Sequence, residues 1–278
     1  MKVPLLAHIH SPKTAGSSFR RALDENYQQA HVHLYFDNST TFVYENAELA
    51  ELVRDPSIKA FSSHFVRRFP PVLAGRPVHY VTFLRNPIEQ FISYITYTRK
   101  HYAAISDLVL LDHLPPKMTG LSIRESARWI LDGPDSAFRN FRENYATNFY
   151  ARYSLFDWHG LDYADSGYRT ERLKAAQNIL SRFLLVGIAE CLDESWRLLR
   201  HRAERIGIEL RDVRIPTENV TADQREPLDW IRADDEVGGK LLDSVREDLS
   251  LYSWGLDQFQ RSAERPLEKT PTLAKRSG

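Results

Sequence analysis

The sequence predicts an α/β fold in which a mainly parallel sheet is covered on both faces by helices. Short apolar runs of strand length alternate with longer segments of helical periodicity, which is typical of this class. The run from 78 to 84 is β-branched and aromatic throughout, as buried strands are. A chain of 278 residues with 42% hydrophobic content can bury one substantial core. These observations predict a single domain over residues 1–263.

The hydrophobic pattern places the elements in order along the chain. Strands are expected at 4–10, 31–36, 58–63, 78–84 and 183–188. Helices are expected at 16–29, 43–54, from 87 onward, 171–181, 193–206 and 228–262. Residues 101–165 carry Pro- and Gly-containing turns and predict a helical insertion. Residues 264–278 are charged and contain two prolines, which predicts a disordered tail.

Charge and cysteine content narrow the classes of partner and compartment. With 37 basic and 37 acidic residues, the formal charge is zero, which argues against a nucleic-acid-binding surface. Cys191 is the only cysteine, so an intrachain disulfide is impossible and a reducing compartment is expected. The first apolar run is too short for a signal peptide, and no run is long enough to cross a bilayer. The expectation is a soluble, cytoplasmic protein with no membrane-spanning segment.

A candidate anion-binding loop connects the first strand to the first helix, over Pro12–Ser18. In a strand–loop–helix unit, the free N–H groups and the positive dipole end of the helix face a bound anion. Gly16 lets the backbone approach closely, and Lys13 adds a positive charge. Three hydroxyl donors complete the loop: Thr14, Ser17 and Ser18. Because Lys13 precedes the glycine, this is not the G-x-x-x-x-G-K-[ST] loop of nucleoside triphosphatases, and an ordinary turn with a surface lysine is the alternative.

A second candidate site follows the strand at 78–84. Asn86 is expected to cap a helix that begins at Pro87, with Glu89 completing a capping box. Arg85 then stands at the carboxyl edge of a parallel sheet, where ligands bind. Arg85 and Ser93 could hold one phosphate together, the arginine through its fork of N–H groups. The alternative is a structural arginine paired with a nearby acid, beside a solvated serine.

These residues lie in segments that resemble a known family. His10–Phe19 resembles the 5′-phosphosulfate loop of sulfotransferases that use 3′-phosphoadenosine 5′-phosphosulfate (PAPS). Val81–Tyr94 is similar to the 3′-phosphate motif of that family, in which Arg and Ser are eight positions apart. Further segments resemble the carbohydrate-type branch, which includes heparan sulfate 2-O-sulfotransferase: Leu185–Glu190, Asp193–Ser195 and Asp248–Tyr252. The likeness extends in patches over about residues 7–260.

The resemblance implies a P-loop-type sheet, PAPS as the sulfuryl donor and 3′,5′-ADP (PAP) as the product. Arg85 and Ser93 would bind the 3′-phosphate. The 5′-phosphosulfate would be bound by Lys13, Thr14, Ala15, Gly16, Ser17 and Ser18. No metal would be needed, because the leaving phosphate is held by fixed donors. The acceptor implied by this branch is a hydroxyl of a saccharide or glycolipid.

The resemblance also implies two catalytic residues. His64 matches the position of a catalytic histidine that follows a strand in the carbohydrate-type branch, and it ends a predicted strand at the same sheet edge as Arg85. A histidine there is suited to remove a hydroxyl proton near neutral pH. Lys13 would stabilise the charge that develops on the bridging oxygen of the leaving group.

Two segments leave questions open. Asn144–Phe149 only partly matches the Asn-x-Gln-Thr-Arg segment of the family, because Ala146 and Asn148 replace Gln and Arg, so its role is left unassigned. The loop after Arg214 is a candidate cover for the nucleotide, with Asn219 and Thr221 as possible contacts.

Three other interpretations remain open on the residues alone. A P-loop kinase shares the strand–loop–helix unit, although the glycine–lysine pattern is missing and Arg85 stands where a kinase strand often ends in a metal-binding acid. A non-catalytic nucleotide-binding protein could keep the same fold. A zinc site is conceivable because alternate residues on two strands are histidines, but no paired carboxylate is evident: His8, His10, His31 and His33.

Overall fold

The computed structural model describes residues 3–34, 46–63, 66, 69–105, 120–132, 169–215 and 227–264. The strands in these ranges are β1 (Leu5–Ile9), β2 (His31–Leu34), β3 (Ala60–Ser63), β4 (Val72–Leu73), β5 (Arg76–Leu84) and β6 (Leu185–Ile188). The helices are α1 (Gly16–Tyr27), α2 (Asn46–Leu52), α3 (Pro87–Ile105), α4 (Ile123–Asp132), α5 (Arg169–Leu180), α6 (Leu192–Glu204), α7 (Glu236–Ser244) and α8 (Arg246–Glu264). None of these helices has the length and apolar character needed to cross a membrane.

The strands form one sheet, which is parallel except for β4. Its order is β2-β3-β1-β5-β6, and β4 pairs antiparallel with the start of β5. The register pairs Ile9 with Ser63 on one side and with Thr82 on the other, and it pairs Leu84 with Ile188. The carboxyl ends of these strands therefore lie along one sheet edge. The predicted α/β fold with a helix-flanked parallel sheet is confirmed, and the order is consistent with the Rossmann/P-loop-like class.

Several element boundaries differ from the sequence expectation. The helix expected over 228–262 is two helices, which are separated at Val245. The first begins only at Glu236, where the Asp235 side chain accepts hydrogen bonds from the N–H groups of Val237 and Gly238. Helix α8 continues to Glu264, one residue into the expected tail, and the rest of that tail lies outside the described residues. Within the expected insertion, the described residues include the end of α3 and the whole of α4.

Two hydrophobic clusters hold together the part of the chain that the structure describes. The larger one packs helices against the sheet and includes Phe19, Phe83 and Trp196. The smaller one joins α3, α4 and α7, and the predicted apolar stripe of α3 contributes Phe91 and Ile95 to it, both fully buried. Helix α3 is thereby fixed on one side by a core of its own, which makes it a firm support for the residues that it carries.

Arg76, at the start of β5, is a buried cation that binds main-chain carbonyls. Its Nε donates to the Val3 carbonyl oxygen at 3.0 Å, and its Nη2 donates to that of Ile58 at 2.6 Å. Its Nη1 donates to the carbonyl oxygens of Val53 and Asp55, at 3.1 and 3.2 Å. One guanidinium therefore satisfies the acceptors of the turn between α2 and β3 and fastens the N-terminal residues to the sheet.

We expect Arg76→Met to lower the free energy of unfolding by roughly 2–4 kcal/mol, because it removes the donor of one buried and three partly buried carbonyl groups. Urea denaturation followed by circular dichroism measures the change. Arg76→Lys should recover only part of the loss, since an ammonium group cannot span carbonyls on both sides of the turn. Arg54→Met is the matched control, because the Arg54 side chain is 71% exposed and should shift stability by less than about 0.5 kcal/mol. Equal effects of the Arg76→Met and Arg54→Met changes would contradict the assigned role.

Candidate anion-binding site

The loop between β1 and α1 has an unusual backbone conformation. Lys13 and Ala15 both have a φ of 62°, in the left-handed region that non-glycine residues rarely adopt. Such a conformation costs about 1–2 kcal/mol per residue and is concentrated at functional sites. Ala15 is also the N-cap of α1 and provides no side-chain cap. A left-handed residue followed by a helical one turns successive N–H groups to the same side, which suits an anion.

Hydrogen bonds from α3, from β3 and within the loop itself hold this loop in place. The buried Gln90 of α3 donates from Nε2 to the Pro12 carbonyl oxygen at 2.8 Å. The Thr14 hydroxyl donates to the Ser11 carbonyl oxygen at 2.8 Å. The His10 N–H donates to the carbonyl oxygen of Ser63, at the end of β3, at 2.9 Å. The strained backbone is therefore supported from the sheet, from α3 and from within.

The three loop hydroxyls are not equivalent, in contrast to the sequence expectation. Thr14 is buried and its hydroxyl proton is used by Ser11, so an anion in the loop would meet only the backbone N–H of Thr14. Ser18 is buried on α1, whereas Ser17 is half-buried. The Ser17 hydroxyl is thus the more accessible of the two donors in the first turn of α1.

Packing against His10 requires glycine at position 16, in addition to the close backbone approach to an anion that the sequence predicts. The φ of Gly16 is not positive, and the left-handed positions are Lys13 and Ala15 on either side of Thr14. A Cβ atom at position 16 would lie 1.8 Å from Cδ2 of His10. The imidazole ring of His10 thus occupies the space where a side chain would stand, and only glycine fits beneath it.

Two cationic side chains meet at this loop. Arg85, which follows β5, donates from Nη1 to the Lys13 carbonyl oxygen at 3.2 Å. The ammonium Nζ of Lys13 lies 4.2 Å from the centroid of the Tyr97 ring, a cation–π contact with α3. Burial, together with the nearby positive charge of Arg85, lowers the pKa of Lys13 to about 8. A bound anion would raise the pKa of Lys13 again, because its negative charge favours the protonated ammonium.

Arg85 also has an acidic neighbour, as one of the two sequence interpretations allowed. Its Nη2 lies 3.7 Å from Oε2 of Glu89, whose side chain is 54% exposed. An ion pair this long and exposed contributes little, so it does not prevent Arg85 from binding a ligand. Ser93 is half-buried in α3, and among the described contacts it makes no hydrogen bond to Arg85.

The N-terminus of α3 is capped, unlike that of α1. As predicted, Asn86 is the N-cap, and its Oδ1 accepts hydrogen bonds from the N–H groups of Ile88 and Glu89 at 3.0 and 3.4 Å. The predicted capping box is wrong, because the Asn86 N–H donates to Glu190, after β6, at 2.8 Å. Burial and the Glu190 carboxylate, to which Tyr252 of α8 is hydrogen-bonded, raise the pKa of Tyr252 to about 12. An anion at this sheet edge is therefore expected at α1.

Gln90, Tyr97 and Glu190 were not identified from the sequence as parts of this site. No sequence signal marked Gln90, because it lies on the face of α3 opposite the apolar stripe, where a polar residue is normally solvated. Tyr97 becomes a neighbour of Lys13, and Glu190 a neighbour of Asn86, through contacts between segments distant in the chain.

Several candidate residues cannot be located. The proposed general base His64 lies outside the described residues, as do Asn219, Thr221 and the segment 144–149. Ser63, which precedes His64, ends β3 and is paired with Ile9 at the start of the loop. The roles of His64, Asn219 and Thr221 remain predictions, and the segment 144–149 remains without an assigned role.

Histidines of the first two strands form a hydrogen-bonded network with Ser62 and Asp24. The Ser62 hydroxyl lies 2.9 Å from Nδ1 of His8 and 2.8 Å from Nε2 of His31, and Nδ1 of His31 lies 2.7 Å from Oδ1 of Asp24. Burial lowers the pKa of His31 to about 4, against the opposing effect of Asp24. The order Asp–His–Ser matches a catalytic triad, but Ser62 is fully buried and cannot reach a substrate. Of the four strand histidines in the sequence alternative, His31 and His33 lie with Asp24 in a group whose ligand atoms are all within 4.8 Å of one another, and among the described residues His8 and His10 do not belong to it.

The chain is an α/β protein with a helix-flanked parallel sheet, consistent with the Rossmann/P-loop-like class, and it carries a cationic loop at the carboxyl edge of that sheet. No protein-family model matches the chain, and no curated protein is significantly similar to it in sequence. Its function is therefore argued from the chemistry of the site.

We expect Lys13 to titrate near pH 8, well below the ordinary lysine value of 10.5. Reductive methylation with ¹³C-formaldehyde followed by an NMR pH titration measures this, with Lys13→Arg used to assign the resonance. Arg85→Gln should raise the pKa of Lys13, because it removes the like charge while burial persists. Arg197→Gln is the control and should change nothing, since Arg197 pairs with Glu194 on the exposed face of α6. A Lys13 resonance that titrates at the ordinary value, or ignores the loss of Arg85, would contradict this electrostatic description.

Proposed function

We propose that this chain is a PAPS-dependent sulfotransferase that acts on a hydroxyl group of a saccharide or glycolipid. The observation that carries the proposal is the meeting of Lys13 and Arg85, from separate motifs, at the uncapped N-terminus of α1. The strand–loop–helix unit and the sheet order support the P-loop-type description of the fold. The helical segments within 101–132 support the proposed insertion.

The donor set fits a ligand with two separate anionic groups. The left-handed loop and the first turn of α1 offer backbone N–H groups for one group, with Lys13 beside them. Arg85 offers a planar fork for a second group, and its partner Glu89 is exposed and loosely held. Ser93 remains a proposed additional donor for that second group.

The proposed reaction balances without an added oxidant or metal. When bound, PAPS supplies an activated sulfuryl group, so that an acceptor oxygen forms a bond to sulfur as the bond between sulfur and the bridging oxygen of the phosphate breaks. His64 takes the acceptor proton as general base, a role that rests on the family resemblance. Lys13 and the N–H groups of α1 stabilise the negative charge on the departing phosphate oxygen. The products are a sulfate ester and PAP.

The Lys13 ammonium is positioned for this role by its surroundings. The strained loop backbone and the contact with Tyr97 restrict its movement, which reduces reorganisation when charge develops. Because its pKa is about 8, the protonated form predominates at neutral pH, and a neighbouring anion raises that pKa further. Lys13 is therefore protonated when negative charge develops on the departing phosphate oxygen.

We expect PAP to stabilise the protein more than 5′-ADP or ATP does, because only PAP carries both a 3′- and a 5′-phosphate. At a concentration of about 100 times Kd, PAP should raise Tm by roughly 5–10 °C, measured by thermal shift. Arg85→Ala should weaken PAP binding at least about tenfold, the loss typical of one charge-assisted contact. Arg197→Ala is the exposed control and should bind PAP normally. A larger shift with magnesium and ATP than with PAP would favour a kinase.

We expect His64→Ala to retain PAP binding and to lose turnover by roughly 10²–10⁴-fold, the usual contribution of one general base. Transfer of radiolabelled sulfate from PAPS to a saccharide panel measures turnover, and thermal shift measures PAP binding. His201→Ala, on α6, serves as the histidine control. Near-normal turnover in His64→Ala would remove this residue from the mechanism. If the wild-type protein binds PAP but does not convert PAPS to PAP with any saccharide of the panel, the result would favour the non-catalytic alternative.

A further inference from the structure

We propose that Asp24, His31 and His33 form a binding site for a divalent transition-metal ion of the zinc class, at the β2 edge of the sheet. The site is separate from the anion-binding loop. Asp24 comes eight residues after Gly16, about 12 Å further along α1 at 1.5 Å per residue. The proposal therefore does not depend on the proposed sulfotransferase activity.

Three donor atoms converge at this place. His31 and His33 alternate on β2 and so lie on one face of the strand. Oδ1 of Asp24 lies 2.7 Å from Nδ1 of His31 and 2.7 Å from Nε2 of His33. One ligand atom from each residue lies within 4.8 Å of the others. The carboxylate missing from the sequence interpretation of a zinc site is thus supplied by α1.

The spacing fits a metal ion after a small adjustment. Zinc bonds of 2.0–2.1 Å in a tetrahedral site place ligand atoms about 3.3 Å apart. The carboxylate would have to move roughly 0.6 Å from each imidazole nitrogen. The side chains of Asp24 and His33 are 39% and 40% exposed, so they can make this movement and leave a coordination position open to water.

His31 is the fixed ligand, and its second nitrogen is already bound. Its side chain is fully buried, and its Nε2 lies 2.8 Å from the Ser62 hydroxyl. When Nδ1 binds a metal, the neutral ring carries its proton on Nε2 and donates to Ser62. Ser62 can in turn donate its own proton to Nδ1 of His8, 2.9 Å away. The hydrogen bonds from His31 to Ser62 and from Ser62 to His8 can thus be kept when the tautomer of His31 changes, and these buried polar atoms stay paired. Hydrogen-bond partners of this kind commonly orient metal-binding histidines.

The ligand types define the class of ion. Two imidazole nitrogens and one carboxylate suit zinc, nickel, copper and cobalt, whereas magnesium and calcium prefer all-oxygen sites. Because the ligands come from α1 and β2, a bound ion would link these two elements near the edge of the sheet. The expected role is stabilisation of that edge.

The test uses the full chain freed of metal by chelation, with zinc titrated by calorimetry and cobalt followed by its visible absorption. We expect one zinc ion per chain at this site and a tetrahedral cobalt spectrum. Asp24→Asn and His33→Ala should each weaken zinc binding at least tenfold, and both positions are exposed enough for the variants to fold, as circular dichroism would verify. Ser62→Ala should weaken it roughly 10- to 100-fold through His31.

His201→Ala removes a half-buried histidine elsewhere and should leave zinc binding unchanged. Zinc should also raise Tm in the wild type and not in Asp24→Asn. Absence of one-to-one zinc binding would overturn the proposal. Equal zinc affinity in wild type, Asp24→Asn and His33→Ala would also overturn it, because the bound metal would then reside on other residues.

Discussion

The proximity of two positive charges is the constraint on which the candidate site depends. Arg85 contacts the backbone of Lys13, and the ammonium of Lys13 is partly buried beside it. Such an arrangement is unfavourable by itself and is tolerated because the rest of the fold supports it. The register of β1 against β5 brings the two residues to one sheet edge, and the left-handed conformation of the loop keeps them there. A ligand that carries negative charge would favour the protonated form of Lys13, against the effects of burial and of the Arg85 charge.

Helix α3 converts this local arrangement into a rigid one. Phe91 and Ile95 bury one face of the helix against α4 and α7. The same helix directs Gln90 to the Pro12 carbonyl and places Tyr97 beneath Lys13. The small helical cluster, which lies apart from the main core, therefore has a direct part in holding the loop. The geometry of a site on a loop is only as accurate as the elements that support it.

Local patterns made the main features predictable from sequence. The strand from 78 to 84, the Asn86 cap and the start of α3 at Pro87 follow from periodicity and helix-capping preferences, and the structure contains all of them. Parallel-strand logic also predicted that Arg85 stands at the sheet edge. Contacts between distant segments were not predictable in this way. The carboxylate that binds the Asn86 N–H comes from Glu190, 104 residues later in the chain, and no capping rule reaches that far.

The left-handed backbone at Lys13 and Ala15 was missed for a different reason. Sequence reasoning assigns such conformations to glycine, and the loop contains Gly16 at a plausible position. The structure uses that glycine for close packing, because the His10 ring lies over it. The residues around it then take the strained angles, which propensity alone would not assign to lysine or alanine.

The packing of His10 over Gly16 links the evolution of two positions. Any side chain at 16 collides with the imidazole, whereas a smaller residue at 10 would open room for one. Homologous chains should therefore keep glycine at position 16 wherever they keep an aromatic ring at position 10. Ala15, already left-handed, is where a glycine could be gained independently.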